Sequence, residues 1–439
     1  MCAQFSSQVA DALTTITLAN VLVFKFSDGP SLTAMASTLM VSLIPLILVG
    51  PIAGDLTDRF DRVRLLSRGH LARAVFTALA VFSTLEFFSG RRIVGYFCFC
   101  ILLSLTRILY TARATSLSFL VRRHELVAAD SSSLILSVIA GACGTSIYFA
   151  LTQRLPGAGF IIAALLQIFA ARNYGRIETV IGGGRQSRNK IGYSQLFEQL
   201  RSPKTRFAMS ATTSHRFLLG ICIASIAVMI DNSFNMQTTG YLAVLGFSAS
   251  GSFLGSISAE WISEQFPRRT ITVIAFALAS TVIGVATVFV HPRIALGSVL
   301  LCAFAFQNLR VRSDATIQAN SPKANIGKIF AAYDLLYNFA FISGCIIGIA
   351  ATSSLSYETV LSTACAIYFV GAIFFAKLKD GKVVETELVA THPSGYLNCS
   401  ANSRQTWPNN CGDQYRYPNW SHENEPIERR LPSAISASS

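Results

Sequence analysis

Charge is scarce in this chain. Asp, Glu, Lys and Arg make up 13% of its 439 residues, while hydrophobic residues make up 52%; soluble domains carry about 25% charged residues. So few charges cannot cover a water-facing surface of this size, and lipid is the natural solvent for the apolar excess. Acids are scarcer than bases, 23 against 36, which leaves a formal charge of +13. The apolar runs exclude nucleic-acid binding as the reason for that charge, and the placement of the bases explains it below. No GKS or GKT phosphate loop, nucleophile–base arrangement or ATPase cassette is present. His124, His215 and His291 fall at predicted helix ends without metal-ligand spacing. These absences point away from an enzyme and call for no cofactor and no metal. Of ten cysteines, Cys98, Cys100, Cys143, Cys222, Cys302, Cys345 and Cys365 lie inside apolar stretches and read as small buried hydrophobes. Cys399 and Cys411 sit in a polar tail. The first apolar stretch contains Gln8 and Asp11 and lacks a basic leader, so it reads as a retained spanning helix and not as a signal peptide.

What is present is a series of apolar segments. A bilayer-spanning helix needs about 20 mostly apolar residues. Twelve such segments fall near 7–27, 33–54, 69–89, 92–113, 127–152, 156–174, 210–232, 237–260, 270–290, 294–313, 327–351 and 355–377, with the seventh and eighth barely separated. The bases cluster after even-numbered segments: Arg59, Arg62, Arg64 and Arg68 after the second, Arg122 and Arg123 after the fourth, Arg268 and Arg269 after the eighth, Lys323 and Lys328 after the tenth. The middle loop and the stretch after the twelfth segment are basic as well, whereas the odd-numbered turns hold only Lys25, Arg91, Arg92, Arg154 and Arg293. Short basic loops stay in the cytoplasm, so both termini and the middle loop are expected there. The expected organisation is a six-helix unit at 1–174, a central cytoplasmic loop at 175–206, a second six-helix unit at 207–380 and a disordered cytoplasmic tail at 381–439. Gly182, Gly183 and Gly184 follow no strand and read as linker, and Tyr193 to Leu200 reads as a short interfacial helix. The sequons at Asn398 and Asn419 carry no weight on a cytoplasmic tail.

The two halves echo each other. GDLTDRFDRVRLL (54–66) follows the second segment and EWISEQFPRRTI (260–271) follows the eighth, setting Asp58 against Glu264, Phe60 against Phe266 and Arg62 against Arg268. Internal duplication of this kind is typical of secondary transporters. Gly54, Asp58, Arg59, Asp61, Arg62 and Arg64 resemble the cytoplasmic loop signature of the major facilitator superfamily. TARATSLSFLVRRHELVAAD (111–130) and DATIQANSPKANIGKIFAAYDLLYN (314–338) resemble its drug, siderophore and lysophospholipid exporter branch, which usually has proline where Thr111 stands and asparagine where Asp130 stands. The resemblance covers about residues 5–378. It implies twelve transmembrane helices in two pseudo-symmetric six-helix bundles, a small-molecule substrate, proton-coupled efflux and a bacterial inner-membrane setting. Antiporters of the superfamily often carry a Gly/Pro-rich motif in helix five; here GACGTSIYF has Gly141 and Gly144 but no proline, which keeps uptake or facilitated diffusion open. A scaffold that recruits partners through the tail is a third reading. No sequence feature assigns an oligomeric state.

Charges inside a bilayer are costly and mark pathways or fixed pairs. Arg107, deep in the fourth segment, is either an anchor for an anionic substrate, a partner for a proton-carrying carboxylate or half of a packing ion pair. Asp11 shares a helical face with Gln8 and Thr15 and is a candidate proton carrier or partner for Arg107. Asp334 and Asn338, four apart, read first as a packing hydrogen bond, and Asp231 as an outer-mouth residue. Arg113, Arg310 and Arg312, near segment ends, are expected to snorkel to headgroups. Gly54, Asp58, Arg59, Arg62, Arg64, Glu264 and Arg268 form the candidate conformational latch: a carboxylate at a helix end accepts charge-assisted bonds from guanidinium groups and a neighbouring helix terminus.

Overall fold

A computed structural model describes residues 2–22, 32–85, 90–151, 157–182, 200 and 202–378. The interfacial helix expected at 193–200 and the tail expected from 381 lie outside the described residues, apart from Leu200. Among the described residues the chain forms twelve long helices: α1 (Cys2–Leu22), α2 (Leu32–Arg59), α3 (Arg62–Leu79), α4 (Arg91–Leu120), α5 (Leu126–Leu151), α6 (Ala158–Gly175), α7 (Pro203–Phe234), α8 (Gln237–Gln265), α9 (Arg268–Val288), α10 (Pro292–Asn320), α11 (Ile326–Ser354) and α12 (Tyr357–Lys377). Eleven are long and apolar enough to cross a membrane. The twelfth, α1, is diluted by Gln4, Gln8, Asp11 and Asn20. Asn235, in the left-handed region at φ 51°, separates α7 from α8 by a tight turn.

Local chemistry sets the helix starts. Asp61 caps α3 by accepting from the amides of Val63 and Arg64. Ser202 caps α7 with Pro203 at its first position, and Ser356 caps α12. Several helices outrun the hydropathy segments at the end that carries the basic loops: α3 begins at Arg62 instead of 69, α7 at Pro203 instead of 210, and α4 and α10 end at Leu120 and Asn320 instead of 113 and 313. The extra turns of α3, α7 and α10 are rich in polar and charged residues, which hides them from a hydropathy window, while those of α4 mix Ser and Thr with apolar residues; the backbone hydrogen-bond ladder continues through all of them.

The side-chain distribution suits a lipid solvent. Ile44, Ile47, Leu48 and Ile52 on α2, Ile161, Leu165 and Phe169 on α6, and Phe369, Val370, Ile373 and Phe374 on α12 face outward. Thr57, Gln167, Ser256, Gln307, Asn308 and Asp334 are buried. The protein is an all-α integral membrane protein.

Helix neighbours repeat with an offset of six. The packed pairs α1–α5, α1–α6, α3–α6, α2–α4 and α3–α4 recur as α7–α11, α7–α12, α9–α12, α8–α10 and α9–α10. Glycines make the closest approaches. A Cβ on Gly144 of α5 would meet the Val9 carbonyl of α1 at 2.6 Å, and one on Gly220 of α7 would meet the Phe341 carbonyl of α11 at 2.5 Å. Gly344 of α11, the counterpart of Gly144, lies so near the Phe217 carbonyl that a methyl group would overlap it. Small residues that let backbones touch drive helix association in lipid. Gly344→Ala therefore lowers thermal stability in detergent by about 1–3 kcal/mol. Gly297→Ala, where a Cβ meets nothing within 4 Å, leaves stability unchanged or slightly raised.

Candidate functional site

The two halves meet where α2 ends and α11 begins. The first four amides of a helix lack partners within it. Asp58 supplies two at α11: its carboxylate accepts from the amides of Gly327 (2.8 Å) and Lys328 (3.0 Å), and Arg62 Nη2 stands 3.5 Å from the same group. Arg62 is buried, donates from Nε to Thr115 Oγ1 at 3.1 Å and lies 4.4 Å from the Phe119 ring centroid. Gly54 permits the approach, because a Cβ there would come within 2.7 Å of the Lys328 Cα. Asp55 adds contacts to Arg59 (2.8 Å) and Lys328 (3.6 Å).

The latch residues read from sequence thus separate. Gly54, Asp58 and Arg62 lie at the α2–α11 contact. The Arg59 and Arg64 side chains are 60% and 75% exposed and pair with carboxylates of their own segment. The second-half counterpart is different: Glu264 is exposed, while Arg268 is buried, donating to the Lys204 carbonyl at 3.1 Å over the Phe207 ring. On that side α5 meets α8 and α10 through Leu126, Val127, Ala259, Val311 and Ala315. Gln318 of α10 donates to Asp130 of α5 at 3.1 Å.

Deeper in, charged side chains span the halves. Arg107 of α4 reaches Asp334 of α11 at 3.4 Å, with side-chain exposures of 23% and 4%. Asn338 donates to the Asp334 carboxylate at 2.9 Å, so the packing bond expected between these two residues is present and Arg107 joins it. Arg310 of α10 donates to the Tyr110 hydroxyl of α4 at 2.6 Å and faces Asp314 at 3.6 Å. Snorkelling by Arg310 is therefore corrected: α10 runs on to Asn320, so Arg310 sits well inside it and turns to the interior. Tyr110 and Asp314 carry no isolated signal in the sequence.

A second network ties α1 to α3 and α6. Asp11 accepts from Arg73 (Nη1, 2.8 Å) and from Gln167 (2.7 Å), and Gln167 Oε1 lies 2.7 Å from His70 Nδ1. Asp11 therefore meets Arg73, not Arg107. Gln8, with its amide turned to satisfy both neighbours, joins Ser137 and Arg113, while Thr15 is exposed and outside the network. Asp231 accepts from the Tyr241 hydroxyl at 3.3 Å near the end of α7. His215, expected at a helix end, is fully buried among Phe276, Phe306 and Tyr368, because α7 starts at Pro203.

No protein-family profile matches the chain. Over 367 residues it is 25% identical to an uncharacterised MFS-type transporter of Mycobacterium bovis, covering 77% of this chain and 80% of that one, and equally to one of Mycobacterium tuberculosis. Among solved structures, a bacterial homologue of the iron transporter ferroportin in an outward-facing state matches with a TM-score of 0.62 at 13% identity, over 85% of this chain and 97% of that one. The human organic anion transporter MFSD10 matches at 0.65 and 10% identity, over 85% and 98%. The Major Facilitator Superfamily transporter FucP, in its outward conformation, matches at 0.57 and 16% identity, over 85% and 98%. The chain has the major facilitator fold. Within that fold the named polar and charged contacts between halves, among the described residues, run from the basic-loop end to Arg107 and Asp334.

Proposed function

We propose that this protein is a secondary transporter that exports a small amphipathic or anionic metabolite in exchange for protons, by rocking its two six-helix bundles about a central site. The observation that carries the reading is the Arg107–Asp334 pair. It joins α4 to α11, from opposite halves, in a partly exposed place at 3.4 Å. A charge pair inside a bilayer is costly unless it serves a path or a switch. Asp334 is the proposed proton carrier, and protonation releases Arg107 for an anion. Asp11, paired to Arg73, is a static strut of the first bundle in this scheme, and Asp231 lines the far mouth.

The positive-inside rule supports a cytoplasmic basic-loop end with both termini there, and the resemblance to bacterial exporters supports the inner membrane of a bacterium. The Asp58–α11 contact then closes the cytoplasmic side and holds the outward-facing state. The bundles are bounded at about 174 and 207.

The test is a paired metabolite profile, inside cells and in the medium, with the protein present, absent or carrying Arg107→Ala. Export predicts a compound that accumulates inside only when the protein is absent or altered. Depletion inside under the same conditions supports uptake instead. A chain truncated after residue 380 keeps its transport in this account, whereas a tail-dependent scaffold loses its function with the tail.

A further inference from the structure

Arg216 stands apart from the other arginines at the centre. It projects from α7, and its guanidinium carbon lies 4.2 Å from the Phe341 ring centroid, 4.6 Å from Phe306 and 5.8 Å from Tyr337. Its Nε is buried without a hydrogen-bond partner. The nearby carboxylates are already engaged: Asp314 faces Arg310, and Asp334 takes Arg107 and Asn338. Of the three arginines, two therefore face a carboxylate, and Arg216 has none among the described residues. It is not sealed off, since part of its surface remains accessible. It adjoins the network between the halves, because Tyr337 also lies 5.3 Å from the Arg310 guanidinium.

Ring faces attract a cation only weakly beside what a carboxylate offers. A single guanidinium in a low-dielectric interior is costly to desolvate. Rings therefore orient Arg216 without neutralising it. A carboxylate does neutralise it, since the planar fork matches two carboxylate oxygens. Phe306 and Tyr337 are buried behind the guanidinium, and part-exposed Phe341 offers the apolar contact that the rest of such a molecule needs.

We propose that Arg216, backed by Phe306 and Tyr337, forms with Phe341 the subsite that takes the carboxylate of an organic anion and packs its apolar body. This deepens the transport reading and rests on it. The anion is held by the second bundle through Arg216, and Arg107, once released from Asp334, meets it from the first.

The probe is 4-phenylbutyrate, compared with the neutral 4-phenylbutanol and the cationic 4-phenylbutylamine, in equilibrium dialysis against the purified full chain. Expected are saturable binding of phenylbutyrate alone, at least about a tenfold loss in Arg216→Gln, and a smaller loss in Arg216→Lys, which keeps charge but not the fork. Phe341→Ala weakens phenylbutyrate while leaving the preference for the acid. Thermal unfolding separates a structural role: Arg216→Gln unfolds at a higher temperature than the unliganded parent, because an uncompensated charge is gone, and loses the stabilisation by phenylbutyrate. Equal binding of the alcohol, undiminished binding by Arg216→Gln, no saturable binding by the parent, or lower stability of Arg216→Gln overturns the subsite. Loss of the subsite with metabolite export intact leaves the transport reading standing. Acid-selective binding without any transport removes the transport reading and leaves the subsite.

Discussion

Gly54→Leu abolishes transport and Asp58→Ala reduces it by at least about 30-fold. The leucine side chain has nowhere to go, because even a Cβ lies 2.7 Å from the Lys328 Cα and 3.0 Å from the Gly327 carbonyl. Those atoms are backbone, so α2 and α11 must separate. Asp58→Ala acts on the same interface by removing the acceptor for two α11 amides and the carboxylate beside buried Arg62. Water can replace part of what is lost at a helix terminus, so the net cost to the closed end is about 2–3 kcal/mol. That shifts the ratio of closed to open by about 30- to 150-fold. Asp58→Asn falls between parent and alanine, because its amide keeps one acceptor and sets its NH2 against donors. Arg64→Ala is the control: the side chain is 75% exposed and 3.7 Å from Asp61, and its removal changes transport and stability little. Transport assays and labelling of a cysteine placed in the α10–α11 loop read both effects.

The Arg107–Asp334 pair yields the second large effect, and it is asymmetric. Arg107→Ala leaves a 4% exposed carboxylate with the Asn338 amide as its remaining partner. The cost is about 3–5 kcal/mol of stability, the usual result of orphaning a buried charge, and transport falls by at least about 100-fold. Asp334→Asn is milder to the fold. It removes the buried charge, and the arginine left behind is 23% exposed and can meet water. In proton-coupled exchange, however, it still abolishes the response to an imposed pH gradient. The double variant Arg107→Ala/Asp334→Asn is more stable than Arg107→Ala alone, with a coupling of about 1–3 kcal/mol. A double-mutant cycle by thermal unfolding, run beside pH-gradient-driven flux, measures both quantities.

The twelve helices, the six-helix repeat and the contact at Asp58 were legible in the sequence, because each has a local signature: an apolar run, a recurring helix-end pattern, a glycine followed by Asp and Arg. What hydropathy hid were polar turns still within the helices. With α3 starting at 69, Arg73 looks like a helix-end residue; with α3 starting at Arg62 it lies deep enough to meet Asp11. The same shift moves His215 into the middle of α7, and the longer α10 carries Arg310 to the interior. Arg216 stood in the seventh apolar segment as a visible charge, but its lack of a carboxylate among the described residues is a tertiary fact. Pairing across helices also escapes the sequence: nothing local tells Asp11 to choose Arg73, or Arg310 to choose Tyr110 and Asp314. The repeat misled at Glu264, whose position matches Asp58 but whose side chain is exposed, while α5, α8 and α10 meet on that side through apolar contacts and, among the described residues, a Gln318–Asp130 bond.

The claim on which the rest depends is that the α2–α11 contact opens and closes. The most direct measurement is the distance distribution between spin labels at positions 60 and 323, exposed sites on opposite halves of this contact, with native cysteines replaced and the protein in lipid nanodiscs. The account predicts a short-distance population in the parent and a second, longer one that grows in Asp58→Ala and dominates in Gly54→Leu. A single short distance, unchanged in both variants, would contradict it.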